Sequence, residues 1–287
     1  MDPLALLADP LAFGFMQRGL VASVLVGVVC AVMGTFVVLK GLAFIGDAVS
    51  HATFPGLVIA YLLGLPLYIG GAVAAVATAL AIGLVSRHGR LRFDTSVGVI
   101  FAGTFALGVL LFSTISGYVA DLLGYLLGNV LGITTGDLLQ VLLLGGIVLA
   151  VVLALRKELL YATFDPLGAA AAGLPVGALE YLLLILLGVT IVVSIQAVGI
   201  ILVVAMLVTP AATAQLLVVR FGRMMALAVV FAAFSAVLGL YLSFYLNLAS
   251  GASIVLVETT FFGLALLLGP RTGLLAWTRA RTAAGES

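Results

Sequence analysis

Charge is the scarcest property of this sequence. Asp, Glu, Lys and Arg make up 8% of its 287 residues, whereas 64% are hydrophobic. Soluble domains carry about 25% charged residues, and a soluble fold could not hide so much apolar surface. The composition therefore predicts an integral membrane protein. The net charge of +1 excludes the basic surface by which proteins bind nucleic acids.

Residues that carry out chemistry are also few. Cys30 is the only cysteine, which excludes an intrachain disulfide and a paired-cysteine metal site. It is predicted to be a buried packing residue. The phosphate-loop pattern GxxxxGK(S/T) and the metalloprotease pattern HExxH are absent, as is the hydrolase pattern GxSxG. We therefore expect a chain that is not an enzyme, does not hydrolyse ATP by that route and holds no permanent cofactor.

Long apolar runs are abundant. A run such as 138–155 lacks the alternation of a membrane barrel. Because a spanning helix needs about 20 apolar residues, we predict an all-α, polytopic transmembrane bundle of about eight to nine spans, in a single domain over residues 1–287. The predicted spans are 15–39, 42–64, 66–86, 96–115, 136–155, 178–195, 198–219, 224–246 and 254–269. The stretch 118–133 is too short to cross and is predicted to be a short re-entrant helix.

Basic residues lie in clusters between these runs and orient the bundle. They are Arg87, Arg90 and Arg92, then Arg156 and Lys157, then Arg220 and Arg223, and finally Arg271, Arg279 and Arg281. Because cytoplasmic loops are rich in Lys and Arg, all four clusters are predicted to be cytoplasmic. The opposite loops hold Asp121, Asp137 and Asn247 instead.

The side of the membrane on which the chain starts stays open at this point. Nine full spans with a cytoplasmic C-terminus place the N-terminus outside, whereas one incomplete early span would place it inside. Asp2 and Asp9 stand where a cleavable signal peptide carries basic residues. The first apolar run is therefore predicted to be a retained span.

One ionisable pair lies inside a predicted span. Asp47 and His51 are four residues apart, so their side chains share one face of a helix. Ionisable groups inside a membrane cost at least about 2.5–3.5 kcal/mol each and usually mark functional sites. Carboxylate oxygen and imidazole nitrogen suit Mn²⁺, Fe²⁺ or Zn²⁺, and we predict a divalent-metal site. The simpler interpretation, an Asp–His pair that only joins helices, stays open.

The pair is too small a ligand set for a divalent ion, which takes about four or more ligands. A symmetric dimer would supply two carboxylates and two imidazoles, so the sequence predicts a second copy of the chain as partner. Manganese is slightly favoured over zinc and iron because each chain offers a single histidine within the membrane. Glu258, the other acid inside a span, either lines the ion pathway or faces the outer edge of its helix.

The longest predicted cytoplasmic connection covers residues 156–177. It combines Glu158, a turn-forming Asp165, an alanine-rich stretch and Gly173. Two interpretations fit this composition. The segment is a plain amphipathic connector, or the part at about 157–177 is a docking helix for a cytoplasmic partner.

Several segments resemble the manganese/zinc/iron permeases of ABC transporters. The resemblance is most specific in residues 42–56, LAFIGDAVSHATFPG, which contain Asp47 and His51. Further similar stretches are 127–131, 158–173 and 198–212. Together these segments extend the resemblance over nearly the whole chain, although the apolar stretches are less specific than the Asp–Ser–His segment.

The resemblance implies a permease subunit of an ATP-driven metal importer in the bacterial cytoplasmic membrane. It implies a homodimer, cytoplasmic ATP-binding subunits that hydrolyse the ATP, and an extracytoplasmic metal-binding protein that delivers the ion. It matches Asp47 and His51 to the family's metal-coordinating positions and assigns the segment 157–177 to ATPase docking. The docking residues that it singles out are Glu158, Phe164, Asp165 and Gly173.

Two other functions fit less of the sequence. An ion-coupled secondary carrier would move the metal without an ATPase, but the docking segment and the absence of further buried acids argue against it. A membrane enzyme would need a nucleophile or a general base beside Asp47 and His51. No such residue accompanies the pair.

Overall fold

The protein is a bundle of membrane-length helices. The computed structural model describes residues 8–88, 92–115 and 130–269, and this part of the chain contains nine helices long and apolar enough to cross a membrane. They are α1 (Gly14–Leu39), α2 (Ala43–Leu62), α3 (Leu67–His88), α4 (Phe93–Phe112), α5 (Thr135–Ala154), α8 (Val176–Val198), α9 (Ile200–Leu217), α10 (Phe221–Leu246) and α11 (Ser250–Leu268). Two short helices, α6 (Arg156–Phe164) and α7 (Pro166–Ala171), connect α5 to α8. The all-α, multi-span prediction is confirmed.

The helices follow the predicted spans closely, because long apolar runs determine both. The predicted re-entrant helix at 118–133 lies mostly outside the described residues; its described end contains a short 3₁₀ turn, Val130–Gly132. Among the basic and acidic loop residues, Arg90, Arg271, Arg279, Arg281 and Asp121 also lie outside them. With the basic ends taken as cytoplasmic, alternating crossings place the start of α1 on the extracytoplasmic side.

The core lies around α1 and α8. Helix α1 packs against α5, α8, α9 and α10, and α8 also contacts α2 and α3. Helix α11 packs on α9 and α10, while α4 packs on α2 and α3 at the edge of the bundle. Large side chains such as Phe36, Leu187 and Met206 are fully buried in this core. Helix α4 is mostly exposed, so one edge of the bundle, beside α2, stays uncovered in the single chain.

Two glycines bring α2 and α3 into close contact. A Cβ atom added at Gly56 would overlap the carbonyl oxygen of Gly70, and one added at Gly70 would overlap that of Gly56. Small residues at helix interfaces allow backbones to approach closely in membranes. This contact helps to fix α2, the helix that carries Asp47 and His51.

We expect Gly70→Ala to destabilise the protein, because the new methyl group would also lie 2.6 Å from Ala60 Cβ and force α2 and α3 apart. The loss should be about 1–3 kcal/mol, measured as a lower midpoint of thermal unfolding in detergent micelles. Gly146→Ala in α5 is the matched control, since its Cβ would meet nothing within 4 Å. Equal midpoints for the two variants would contradict the close approach.

Candidate metal-binding site

Asp47 and His51 lie one turn apart in the first half of α2, and their side chains meet. His51 Nε2 is 3.5 Å from Asp47 Oδ1, while 38% of the His51 side chain and 51% of the Asp47 side chain are exposed. Their neighbours Ala48, Val49 and Ser50 are buried. The predicted shared face is confirmed, and this face points out of the single chain.

Other polar groups nearby are satisfied within the helix itself. The Ser50 hydroxyl donates to the carbonyl oxygen of Gly46, and the Thr53 hydroxyl donates to that of Ser50, both at 2.7 Å. Pro55 lies within α2 and has no N–H, so it cannot donate to the carbonyl of His51 four residues earlier. An oxygen acceptor without its usual helical partner therefore lies at the level of the pair.

Aromatic rings of α4 flank the imidazole. The ring centroids of Phe101 and Phe105 both lie 5.8 Å from that of His51, and Phe105 meets it edge-on at 88°. Such edge-to-face contacts favour a defined ring orientation. The packing of α4 on α2 therefore holds His51 with its Nε2 beside Asp47.

The ligand set within one chain is incomplete. Among the described residues, no group of three or more His, Cys, Asp or Glu side chains comes together to hold a metal ion. Asp47 and His51 provide one oxygen and one nitrogen ligand group. Any protein site with four such side-chain ligands therefore needs groups from outside the described part of one chain.

Glu258 does not belong to this exposed face. It is buried in α11, and in the part of the chain that the structure describes neither carboxyl oxygen has a hydrogen-bond partner. Its helix packs on α9 and α10. A carboxyl group buried in this way is costly unless a proton, a water molecule or a cation accompanies it. Its place in an ion pathway stays a prediction.

Sequence reasoning missed an ion-pair cluster around Glu180 at the cytoplasmic end. Glu180 Oε1 lies 3.5 Å from Lys40 Nζ, and Glu180 Oε2 lies 3.8 Å from Arg87 Nε. The Arg87 guanidinium also lies 5.8 Å from the centroid of the Tyr181 ring. The cluster lines a cavity of about 450 Å³, which Thr163 of α6 also lines. The sequence shows these charged residues at the ends of three separate spans. It does not show that they pair, because the pairing depends on tertiary packing.

The four residues singled out in the segment after α5 have different environments. Glu158 is half-buried in α6, whereas Phe164 is 64% exposed. Asp165 accepts a hydrogen bond from the Gly168 backbone N–H at 2.8 Å and thereby caps α7. Gly173, with φ +84°, follows the end of α7. Asp165 and Gly173 therefore define where α7 starts and stops.

The membrane-length helices define a polytopic membrane protein. Residues 12–269 match the ABC 3 transport family. The chain belongs to that family, which confirms the resemblance that residues 42–56 carry.

Characterised relatives share most of their length with this chain. A manganese transport system membrane protein of Halalkalibacterium halodurans is 46% identical over 92% of this chain and 91% of its own. A chelated iron transport system membrane protein of Yersinia pestis is 43% identical over 92% and 88%. The solved structure of PsaBC from Streptococcus pneumoniae in complex with Fab has a TM-score of 0.84, with 34% identity over 96% of this chain and 99% of that one.

Proposed function

We propose that the chain is the permease subunit of an ATP-driven importer for divalent transition metal ions in the bacterial cytoplasmic membrane. The observation that carries the proposal is the exposed carboxylate–imidazole pair of Asp47 and His51 within a membrane span. Relatives named for manganese and chelated iron transport support the choice of cargo. A delivery protein outside and ATP-binding subunits inside complete the proposed importer.

Inside the membrane, the exposed side chains of Asp47 and His51 must be shielded from lipid. Ionisable residues within spans almost always face the bundle interior or a water-filled cavity, because exposure to hydrocarbon is costly. The single chain leaves Asp47 and His51 on its surface, beside the uncovered edge formed by α4. A second copy of the chain related by a two-fold axis would cover this face with the same face of its own. It would also complete a set of two carboxylates and two imidazoles.

Manganese is slightly favoured over zinc in the proposal because each chain offers a single histidine within the membrane. Two carboxylates and two imidazoles satisfy the usual four-coordinate zinc site. Manganese prefers more oxygen, which carboxylates and water can supply. The ion is cargo, so its affinity must be moderate enough to allow release.

Transport by the reconstituted importer tests the proposed function. With ATPase subunits and ATP present, we expect Asp47→Asn and His51→Ala to reduce Mn²⁺ uptake into proteoliposomes to background, because each variant removes both symmetry-related copies of one ligand. Folding is checked by an unchanged elution volume.

Asp94→Asn removes one exposed carboxylate from the cytoplasmic end of α4 and is the matched control, with uptake expected to stay unchanged. Full uptake by the Asp47 and His51 variants would refute the site. Wild-type uptake at the same rate without ATPase subunits would instead indicate a secondary carrier.

The ATPase docking surface is proposed to lie on α6 and α7. Phe164 is 64% and Leu167 is 85% exposed, although both belong to a connection outside the membrane-length helices. Large apolar side chains outside the bilayer typically mark interaction surfaces. The caps at Asp165 and Gly173 fix α7, the helix that presents Leu167.

The Glu180 cluster connects this docking surface to the helix that carries Asp47 and His51. Helix α6 packs on α8, which carries Glu180. Glu180 contacts Lys40, and α2 starts three residues after Lys40, at Ala43. We propose that movements of α6 reach α2 through this ion pair.

We expect Leu167→Ser to weaken ATPase binding by about 1–3 kcal/mol, the usual cost of truncating a central interface side chain. Mn²⁺ uptake should fall with it. Ala171→Ser, an exposed position on the same helix, should bind the ATPase as wild type does. The measurement is co-purification of the subunits followed by the rate of ATP hydrolysis. Wild-type co-purification and ATP hydrolysis in Leu167→Ser would show that the ATPase docks on another surface.

A further inference from the structure

Three polar side chains inside the bundle are buried without a hydrogen-bond partner in the part of the chain that the structure describes. They are Ser23 of α1, Ser235 of α10 and Glu258 of α11. Both serines are fully buried, and Glu258 is 2% exposed. By contrast, the buried Ser253 of α11 donates to the carbonyl oxygen of Ala249 at 3.0 Å. Unsatisfied buried groups in a native structure point to a water molecule or an ion that satisfies them.

Ser235 and Glu258 lie on facing sides of α10 and α11. A Cβ atom added at Gly239 of α10 would lie 2.5 Å from the Cα atom of Ile254 in α11, so the two helices touch there. As successive crossings of the membrane, they run in opposite directions. Ser235 is four residues before Gly239, and Glu258 is four residues after Ile254, which keeps each on the same face of its helix. The two side chains therefore face each other one turn from the contact.

Ser23 lies at the same level on α1. A Cβ atom added at Gly27 would lie 3.4 Å from the Cβ atom of Ala232 in α10. Helices α1 and α10, the first and eighth of the membrane-length helices, also run in opposite directions. Ser23 is four residues before Gly27, and Ser235 is three residues after Ala232, so both lie about one turn from this contact on the same side. Three unsatisfied polar groups from three helices therefore lie at one level of the bundle.

Glu258 also lacks a cationic side chain to balance its charge. None of the ion pairs among the described residues includes it. Arg18 of α1 is five residues before Ser23 and donates to the carbonyl oxygen of Ile133 at 3.0 Å, while Arg223 lies in the first turn of α10. Helices α9 and α11 contain no Lys, Arg or His. A carboxylate buried at this depth without a counter-charge is costly.

The possible companions of Glu258 differ in what they satisfy. A proton would neutralise the carboxylate but leave the hydroxyl oxygens of Ser23 and Ser235 without partners. A water molecule would pair with these oxygens but leave the negative charge, and a divalent ion would leave a positive charge. A monovalent metal cation neutralises the single carboxylate, and carboxylate and hydroxyl oxygens are ligands that hard cations accept. It is the companion that satisfies all three side chains.

We propose that Ser23, Ser235 and Glu258 bind one monovalent metal cation such as Na⁺ inside the bundle. The ion joins α1, α10 and α11 and is held by side chains other than those of the Asp47–His51 pair. Its role is to hold α11 against the rest of the bundle. A ligand that binds only the folded protein raises its stability, so the site has a readout that does not depend on transport.

Thermal unfolding in detergent micelles tests the site without the ATPase. The purified protein is unfolded in NaCl and in choline chloride of equal concentration, because choline is too large to enter between packed helices. We expect Na⁺ to raise the wild-type midpoint by about 2–4 °C. Glu258→Gln should abolish this rise, because it removes the charge that the cation balances.

Equilibrium binding of radioactive Na⁺ to the folded protein, checked by its elution volume, is the second readout. We expect one ion for each wild-type chain and none in Glu258→Gln. Ser23→Ala and Ser235→Ala keep the carboxyl group and should each weaken Na⁺ binding about tenfold, so they carry the test if Glu258→Gln does not fold. Ser253→Ala is the matched control, since it removes a buried hydroxyl that bonds within α11, and its response to Na⁺ should equal that of the wild type.

Three results would overturn the site. The first is a wild-type midpoint that is equal in the two salts, with no Na⁺ bound. The second is a response to Na⁺ that is unchanged in the Ser23, Ser235 and Glu258 variants, which would show that the ion binds elsewhere. The third is stabilisation by Mn²⁺ and not by Na⁺, lost in Glu258→Gln, which would instead favour a place for Glu258 in the ion pathway.

Discussion

The cost of placing an ionisable pair in hydrocarbon governs this structure. Asp47 and His51 lie in a membrane span, yet a single chain leaves both side chains partly exposed. Water would stabilise them, but lipid would not. The pair therefore requires either an aqueous cavity or another protein surface. A two-fold partner provides both a cover and the missing ligands, so the proposed dimer follows from the same physical cost as the proposed metal site.

The surrounding helices meet this requirement in different ways. Close backbone contact at Gly56 and Gly70 fixes α2 against α3, and the rings of α4 hold the His51 imidazole. Toward the cytoplasm, Glu180 joins the start of α2 to α8 through Lys40. Helix α2 is thus held by α3 and α4, and the residue that precedes it in the chain, Lys40, is paired with α8.

The sequence predicted those features that depend on residues close together in the chain. Nine long apolar runs predicted the spans, and the four-residue spacing predicted that Asp47 and His51 would meet. Tertiary packing decided the rest. Glu180 and its two cations come from span ends far apart in the chain, and the contact of Phe101 and Phe105 with His51 needs α4 to pack on α2. Periodicity within a single helix carries no information about either contact, and the burial of Glu258 likewise depends on which helices surround α11.

Metal content of the purified protein tests the central claim, that two chains share one site. The protein is equilibrated with Mn²⁺, freed of unbound ion and analysed for metal and protein, with His51→Ala carried through in parallel. The account predicts one ion for every two chains, lost in the variant. One ion for every chain, also lost in the variant, would show that each Asp47–His51 pair holds its own metal and would contradict the shared site.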